Sequence, residues 1–319
     1  MASIKRVGTK RKGAPPARRR PSMDATMGLS LPSAPKKVNK VFFDYTTLIY
    51  GRPGIGKTTW MASFPDAILF SCERVSKGIP CYDFNTENGG GGVHSWEVFK
   101  AGVALLEKSD KFQTVCIDTI QAAYGQCMTW VCKQNHIAHP GDEGFGKGWA
   151  AVRDEFASML DTIAATGRGI VFASHAKDVE ITSHSGEKYT RIQPSLSGQA
   201  YDYIKQKSDF VFYAEYVKDA EGEPRRVLFT TGDEVIDAKH AGILPKYIIL
   251  DKDREVDTVA RAFAGEVGLG VDPELIRPDK NTSSSGTAAL RKDRANKALE
   301  KVKGAVGKPS KKKVLKRRA

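Results

Sequence analysis

The chain has 319 residues, of which 40% are apolar, and its formal net charge is +13. This length and composition predict a globular protein with one large domain or two small ones. No apolar run approaches the ~18 residues of a membrane span, and no apolar segment follows the charged N-terminal stretch, so we expect neither membrane insertion nor secretion. The expected location is the cytoplasm.

The positive charge is confined to the two ends of the sequence. Residues 1–40 contain 11 lysines and arginines against one acid, and residues 280–319 contain 14 against two. Subtracting these tails, +10 and +12, from the net charge of +13 leaves residues 41–279 at −9. We therefore predict a disordered basic N-terminal tail (1–40), a folded core (41–279) and a disordered basic C-terminal tail (280–319). A polyanion is the expected partner of such tails, and a purely solubilising role is the alternative.

The core begins with a predicted strand at 46–50, and the segment after it matches the phosphate-binding pattern G-x-x-x-x-G-K-[ST] at every required position. The residues of this P-loop are Gly51, Arg52, Pro53, Gly54, Ile55, Gly56, Lys57, Thr58 and Thr59. Glycines let backbone N–H groups approach phosphate oxygens, and the helix that follows presents its positive end to the same anion. We predict that the loop binds ATP, with Lys57 on the β- and γ-phosphates and the Thr58 hydroxyl on Mg²⁺.

The remainder of the core alternates between strand and helix patterns. Compact apolar runs predict buried parallel strands at 67–72, 113–118 and 169–174. Helical periodicity lies between them at 94–109, 119–136 and 149–163, and later segments predict strands at 209–217 and 226–231 and a helix at 258–267. The predicted fold class is α/β: a doubly wound, mostly parallel sheet flanked by helices, with a C-terminal antiparallel extension.

Polar residues stand at the carboxyl ends of the three predicted strands that follow the P-loop. They are Glu73, Asp118 and His175. Asp118 is predicted to hold Mg²⁺ together with Thr58, usually through water. His175 is placed to contact the γ-phosphate or the attacking water, and a hydrogen-bonded structural histidine is the alternative. Alternating residues at 178–194 predict a mobile hairpin after His175.

The five cysteines are odd in number and have no framework spacing, which predicts reduced thiols. Cys127, Cys132 and His136 raise the question of a zinc site. On one helix, positions five apart point about 140° away from each other, so Cys127 cannot share a metal with the other two. We therefore interpret these cysteines as buried structural residues.

The position of Glu73, directly after the strand that follows the P-loop helix, resembles the RecA-like class of P-loop NTPases. A closer resemblance, over about residues 41–265, is to the phage-encoded RecA-like single-strand annealing ATPases, a group of phage nucleotide-binding proteins. It rests on Tyr50 with the P-loop, on Ile117-Asp118-Thr119, on Gly144-Phe145-Gly146-Lys147-Gly148 and on Ser174-His175-Ala176-Lys177. Neither tail takes part.

This resemblance implies a RecA-like fold and ATP-dependent or ATP-modulated binding and pairing of single-stranded DNA during phage recombination, in the host cytoplasm. Glu73 would activate the attacking water. His175, which stands where RecA has glutamine, would sense the γ-phosphate and move a DNA-binding loop. The protein would act as a ring or filament of identical subunits, with recombination or replication proteins as further partners.

Basic residues are also expected at the subunit boundary and on DNA. A basic residue of the neighbouring subunit completes oligomeric RecA-like sites, and the candidates are Arg191, Arg225 and Arg226. Because the core is acidic, we expect DNA contacts from the tails and from Lys147, Lys188 and Arg191. Tyr189 either stacks on a base or packs within the hairpin.

Three other functions remain open at this point. A small-molecule P-loop kinase needs an arginine-rich lid, for which the hairpin at 178–194 offers only Lys188 and Arg191. A nucleotide-gated scaffold for replication or recombination partners is disfavoured by the intact Glu73 and Asp118. A hexameric helicase shares the fold and differs from an annealing protein in separating strands instead of pairing them.

Overall fold

The structure is a computed structural model, and it describes residues 32–74, 77–87, 90–184, 186–218, 224–241, 244–250 and 255–265. The chain divides into two compact units, Met1–Val38 and Asn39–Ala319. Of the first unit only residues 32–38 are described, and these form no helix or strand. Most of the predicted N-terminal tail and all of the predicted C-terminal tail lie outside the described residues, so the domain boundaries at 40 and 280 stay predictions.

The second unit consists of alternating strands and helices. Its strands are β1 (Thr46–Gly51), β2 (Ala67–Ser71), β3 (Tyr82–Asp83), β4 (Thr114–Asp118), β5 (Gly169–Thr182), β6 (Lys188–Pro194), β7 (Phe210–Lys218), β8 (Pro224–Phe229) and β9 (Tyr247–Ile249). Its helices are α1 (Lys57–Ala62), α2 (Trp96–Leu106), α3 (Ile120–Gln134), α4 (Lys147–Ala165), α5 (Gly198–Lys207) and α6 (Glu255–Phe263). Within the described residues, no helix is both long and apolar enough to cross a bilayer.

The strands form a sheet with the order β3-β2-β4-β5-β1-β7-β8-β9, and β6 pairs with β5 outside this row. All pairs from β3 to β7 are parallel, whereas β8 and β9 continue the sheet in antiparallel pairing. The predicted α/β fold class, with its antiparallel C-terminal extension, is therefore confirmed. The order also separates β1 from β4, because β5 lies between them.

Each face of the sheet is covered by its own hydrophobic core. Successive side chains of a strand point to opposite faces, so in β1 Leu48 and Tyr50 belong to one core and Ile49 to the other. Residues of α2, α3, α4 and α5 fill the first core, and residues of α1 and α6 fill the second. Burial on both faces explains why these strands are continuous apolar runs in the sequence.

Strand β5 joins two segments that the sequence predicts separately, a buried strand at 169–174 that ends at residues 175–177 and a hairpin at 178–194. The hairpin is confirmed, but the predicted end of the buried strand is wrong, because β5 continues without interruption to Thr182. Its first half pairs with β4 and β1, and its second half, from Ala176 onward, pairs with β6 in an antiparallel ribbon. The reason is that alternation of half-buried Val179 and Ile181 keeps the backbone extended beyond the buried run.

Helix α5 was not predicted from the sequence. Among its residues only Ala200 and Ile204 are buried, and two apolar positions one turn apart are too few to reveal an amphipathic pattern in a polar segment. The helix packs on α4, where Tyr203 donates a hydrogen bond to the carbonyl of Ala157. Its formation therefore depends on tertiary contacts.

The substitution Phe42→Ala is expected to lower the free energy of unfolding by about 3–5 kcal/mol. Phe42 is 2% exposed, and its ring centroid lies 5.3 Å from that of Phe210 and 5.9 Å from that of Phe64, so the truncation opens a cavity among packed rings. Urea unfolding at equilibrium measures the effect. The neighbouring Val41→Ala, at a residue 49% exposed, is the control and should change stability by less than about 0.5 kcal/mol. Equal losses for both variants would contradict the assigned packing.

Candidate nucleotide-binding site

The predicted site residues converge at the carboxyl edge of the parallel sheet. Gly51 at the end of β1 lies in register with His175 on β5, and Asp118 at the end of β4 lies beside Ala173 of the same strand. On the other side of Asp118, β2 leads directly to Glu73. The structure therefore brings the P-loop, His175, Asp118 and Glu73 together, in that order along the edge.

A cavity of about 370 Å³ lies between these residues. It is lined by the P-loop residues Pro53, Gly54, Gly56, Lys57, Thr58 and Thr59 and by Glu73, Asp118, Thr119 and His175. Its volume is in the range usual for small-ligand sites. Arg74 and Ile79 also line it. Neither was singled out from the sequence, and the only signal for Arg74 is its position next to Glu73.

The P-loop conformation depends on two glycines. Gly54 has φ of +79° and Gly56 has φ of +92°, in the left-handed region that a side chain disfavours. The turn is closed by a hydrogen bond from the amide of Ile55 to the carbonyl of Arg52, at 3.3 Å. Helix α1 begins at the next residue, Lys57. This path from β1 to α1 has the strand, turn and helix that the motif predicts, and its open backbone suits the approach of phosphate oxygens.

Lys57 lies folded across the mouth of the loop. Its Nζ donates hydrogen bonds to the carbonyls of Gly51 and Arg52 at 3.1 and 3.2 Å, and the residue is 7% exposed. Burial lowers the pKa of Lys57, and the nearby carboxylates of Asp118 and Glu73 oppose that shift. A poorly solvated ammonium group interacts more strongly with an anion than an exposed one does. Lys57 is therefore well suited to binding phosphate.

Thr58 and Asp118 form the candidate Mg²⁺ site. The Thr58 hydroxyl donates a hydrogen bond to Oδ2 of Asp118 at 2.5 Å. Burial raises the pKa of Asp118, while the Thr58 hydrogen bond and the charge of Lys57 act in the opposite direction. A hydroxyl and a carboxylate oxygen side by side are the hard ligands that Mg²⁺ prefers, with water and phosphate oxygens completing its shell. The residues present thus fit Mg²⁺ bound with a nucleotide.

Glu73 is held by three side chains, two at the start of α3 and one on β5. Its Oε1 accepts hydrogen bonds from the Thr119 hydroxyl at 2.5 Å and from Nε2 of Gln121 at 3.3 Å. Its Oε2 lies 3.2 Å from Nε2 of His175. The sequence assigns no role to Gln121, and Thr119 enters only as part of the Ile117-Asp118-Thr119 motif, although their position after Asp118 places both at the same edge. The carboxylate of Glu73 is thus fixed in the cavity, with 39% of its side chain exposed.

The basic residues predicted for a neighbouring site or for DNA occupy different environments. Nη1 of Arg226 donates a hydrogen bond to the carbonyl of Ile55 at 2.8 Å, so this arginine serves the P-loop of its own chain. Arg191 pairs with buried Asp237 at 3.1 Å. Lys188 pairs with Glu180 at 2.8 Å on the ribbon.

Of the remaining residues predicted to contact DNA or a neighbouring subunit, Tyr189 is half-buried, whereas Arg225 and Lys147 are exposed.

The cysteines considered for a zinc site, Cys127 and Cys132, are both buried, as predicted. Within the described residues, no group of three or more His, Cys, Asp and Glu side chains is arranged to hold a metal.

A parallel α/β sheet with a P-loop after its central strand, and with Asp118 on a strand separated from it by β5, defines a P-loop NTPase. Residues 44–241 match the model of the AAA_24 family, which is described as an AAA domain. The match covers more than half of the chain, and the protein belongs to this family.

Two further comparisons were made. No curated protein matches the sequence significantly. Among solved structures, the chain is similar to the KaiC-like protein PH0186 from the hyperthermophilic archaeon Pyrococcus horikoshii OT3. The two share 12% sequence identity with a TM-score of 0.37, over 66% of this chain and 86% of that chain.

Asp118→Asn is expected to stabilise the nucleotide-free protein at neutral pH while weakening Mg²⁺-dependent nucleotide binding. Burial raises the folded-state pKa of Asp118 above its unfolded value, so the ionised carboxylate costs stability at pH values above the folded pKa. Each pKa unit between the folded and unfolded states corresponds to about 1.4 kcal/mol of unfolding free energy, and the variant's higher stability should vanish below about pH 4. Urea unfolding in EDTA across this pH range measures it. A variant less stable than wild type at neutral pH would contradict the assigned burial.

Proposed function

We propose that the protein is a Mg²⁺-dependent ATPase that binds single-stranded DNA and changes its grip on the strand with the state of the nucleotide. The observation that carries this proposal is the position of Glu73. Glu73 lines the same cavity as Lys57, Thr58 and Asp118, where a carboxylate can act on a water molecule beside a bound phosphate. A binding protein without catalysis has no need of a carboxylate fixed there by three hydrogen-bond partners.

The roles of the residues follow from their chemistry. The P-loop amides and Lys57 bind the phosphates, and Lys57 stabilises the negative charge that develops during phosphoryl transfer. Thr58 and Asp118 would hold Mg²⁺, which would supply positive charge against the phosphates. Glu73 accepts the proton of the attacking water, and Thr119 and Gln121 orient its carboxylate.

The β5–β6 ribbon supports a link between the nucleotide and a second ligand. His175 contacts Glu73 and belongs to the same continuous strand as the ribbon. Three residues further along β5, Asp178 pairs with Arg52 of the P-loop at 3.4 Å. The ribbon therefore has two contacts with the site. A change at the γ-phosphate that moved either contact would be transmitted along β5, which is the coupling that the proposal requires.

The loop at 144–148 supports single-stranded DNA as the second ligand. Phe145 is completely exposed and has φ of +59° between two glycines, and exposed Lys147 follows it. A ring that is fully presented to solvent is accessible for stacking, and unpaired bases stack on such rings whatever their sequence. A lysine beside the ring is suited to the adjacent phosphate. Among the predicted DNA contacts, Lys147 thus has more support than Lys188 or Arg191, whose charges are already paired.

Glu73→Gln should retain ATP binding and lose hydrolysis by about 10²–10⁴-fold, because the amide keeps the shape and hydrogen bonds of the side chain but cannot accept the proton. Phosphate release under saturating ATP measures turnover, and titration with a fluorescent ATP analogue measures binding. Glu107→Gln, at an exposed position on the end of α2, is the matched control and should behave as wild type. Normal turnover by Glu73→Gln would overturn the proposed mechanism.

Phe145→Ala should weaken binding of a labelled single-stranded oligonucleotide by about 5- to 100-fold, the loss of one stacked base. Fluorescence anisotropy at constant salt measures the affinity. Leu105→Ala removes another exposed apolar side chain, on α2, and is the control. If both variants bind the oligonucleotide as wild type does, the loop is not part of a DNA-binding surface.

A further inference from the structure

Arg226 on β8 lies directly against the P-loop. Its Nη1 donates a hydrogen bond to the carbonyl of Ile55 at 2.8 Å, and its guanidinium group also pairs with the carboxylate of Glu255. A Cβ atom placed on Gly56 would lie 1.7 Å from Nη1, which shows how closely the arginine approaches the loop. The residue stands 170 positions after Gly56 in the chain, and the phosphate-binding pattern does not include it.

Both partners of this pair are largely shielded from water. The side chains of Arg226 and Glu255 are 11% and 13% exposed. Glu255 is the first residue of α6, and this helix is anchored by Val256, Val259 and Ala262, all buried in the second core. The position of the carboxylate is therefore set by packing. In turn it orients the guanidinium group, whose planar fork can contact a carboxylate and a carbonyl at the same time.

The carbonyl of Ile55 occupies a sensitive place in the loop. It belongs to the residue between Gly54 and Gly56, both with positive φ. Without a donor to this carbonyl from outside the loop, such a glycine-rich turn has several accessible conformations, and only one directs its amides into the cavity. Arg226 supplies a charged donor to that carbonyl, and neither Arg226 nor Ile55 lines the cavity.

We infer that Arg226, oriented by Glu255, is a positioning residue that holds the P-loop in its nucleotide-binding conformation. The inference deepens the proposed function, since it rests on nucleotide binding at the P-loop. Arg226 acts through the backbone of Ile55 and is distinct from the Lys57 ammonium that faces the phosphates. It also implies that α6, at the far end of the described chain, is part of the nucleotide site.

A positioning role of Arg226 and a purely electrostatic role predict opposite effects of one variant on nucleotide binding. Glu255→Gln retains the Arg226 side chain but removes the negative charge that neutralises and orients it. If Arg226 acted on the phosphates by its charge alone, this variant would bind nucleotide more tightly. If Arg226 acts by holding Ile55, the loss of its orienting partner must weaken binding. Arg226→Lys preserves the charge and loses the fork, so it too must weaken binding.

The experiment compares full-length wild type, Arg226→Lys and Glu255→Gln by steady-state ATP hydrolysis and by titration with a fluorescent ADP analogue. Arg153→Lys and Asp154→Asn form the matched control, because they alter an exposed arginine–carboxylate pair on α4. We expect KM for ATP and Kd for ADP to rise about tenfold in both test variants, the loss of one charge-assisted hydrogen bond, with kcat changed less than about twofold. The controls should match wild type.

A rise in KM and Kd with little change in kcat distinguishes a positioning role from a general structural role. Loss of folded protein lowers the apparent kcat and leaves KM unchanged, so that pattern would overturn the inference, as would unchanged or tighter nucleotide binding by Glu255→Gln. If Arg226→Lys does not fold, Glu255→Gln decides the matter by itself. If the wild type binds and hydrolyses nucleotide and both test variants behave as it does, the inference is rejected but the proposed function is not. Failure of the wild type to bind either nucleotide would reject the proposed function and the inference together.

Discussion

The parallel register of β1, β5, β4 and β2 is the constraint on which the site depends. Strands that run in one direction end at one edge, so the loops after them must meet there. The register places Gly51 beside His175, and Asp118 beside both Ala173 and Ser71. A shift of one residue in any of these pairs would turn the polar side chains toward the opposite core. The two hydrophobic cores therefore fix the geometry of the phosphate site, and Ile55 of the P-loop is itself part of the second core.

Burial has opposite effects on the two charged groups closest to the P-loop. It lowers the pKa of Lys57 and raises that of Asp118, because each loses hydration that favours its charged form. Their mutual attraction opposes both shifts and offsets part of this cost. A phosphate would stabilise Lys57 and a magnesium ion would stabilise Asp118, so bound ligands would relieve the same desolvation that disfavours the free site. The charged residues of the free site therefore lower folding stability, and bound ligands would restore it.

The sequence was sufficient for the parts of the site that depend on local patterns. The P-loop and Asp118 follow from a motif and from apolar runs of strand length, and the parallel sheet follows from their alternation with helical periods. Contacts between distant segments could not be predicted from the sequence. Arg226 and Glu255 reach the P-loop through strand pairing and helix packing that no local pattern records, and the sequence offers Arg226 only as one of three candidates for a subunit boundary. Alternation at 178–194 predicts the hairpin, but the sequence suggests a break between it and the buried strand, because burial changes after Ser174 while the backbone does not.

The continuity of β5 also determines what kind of conformational change the proposed function allows. A loop after His175 would respond by ordering or disordering, whereas a paired ribbon moves as a unit. Its free movement is limited at three points, by His175 on Glu73, by Asp178 on Arg52, and by Arg191 on Asp237. The last of these is connected to the P-loop strand, because the Tyr50 hydroxyl donates a hydrogen bond to the carbonyl of Asp237 at 2.6 Å. A nucleotide that alters the first two contacts leaves the third in place, so the ribbon would pivot about its base near Asp237 and displace its tip the most.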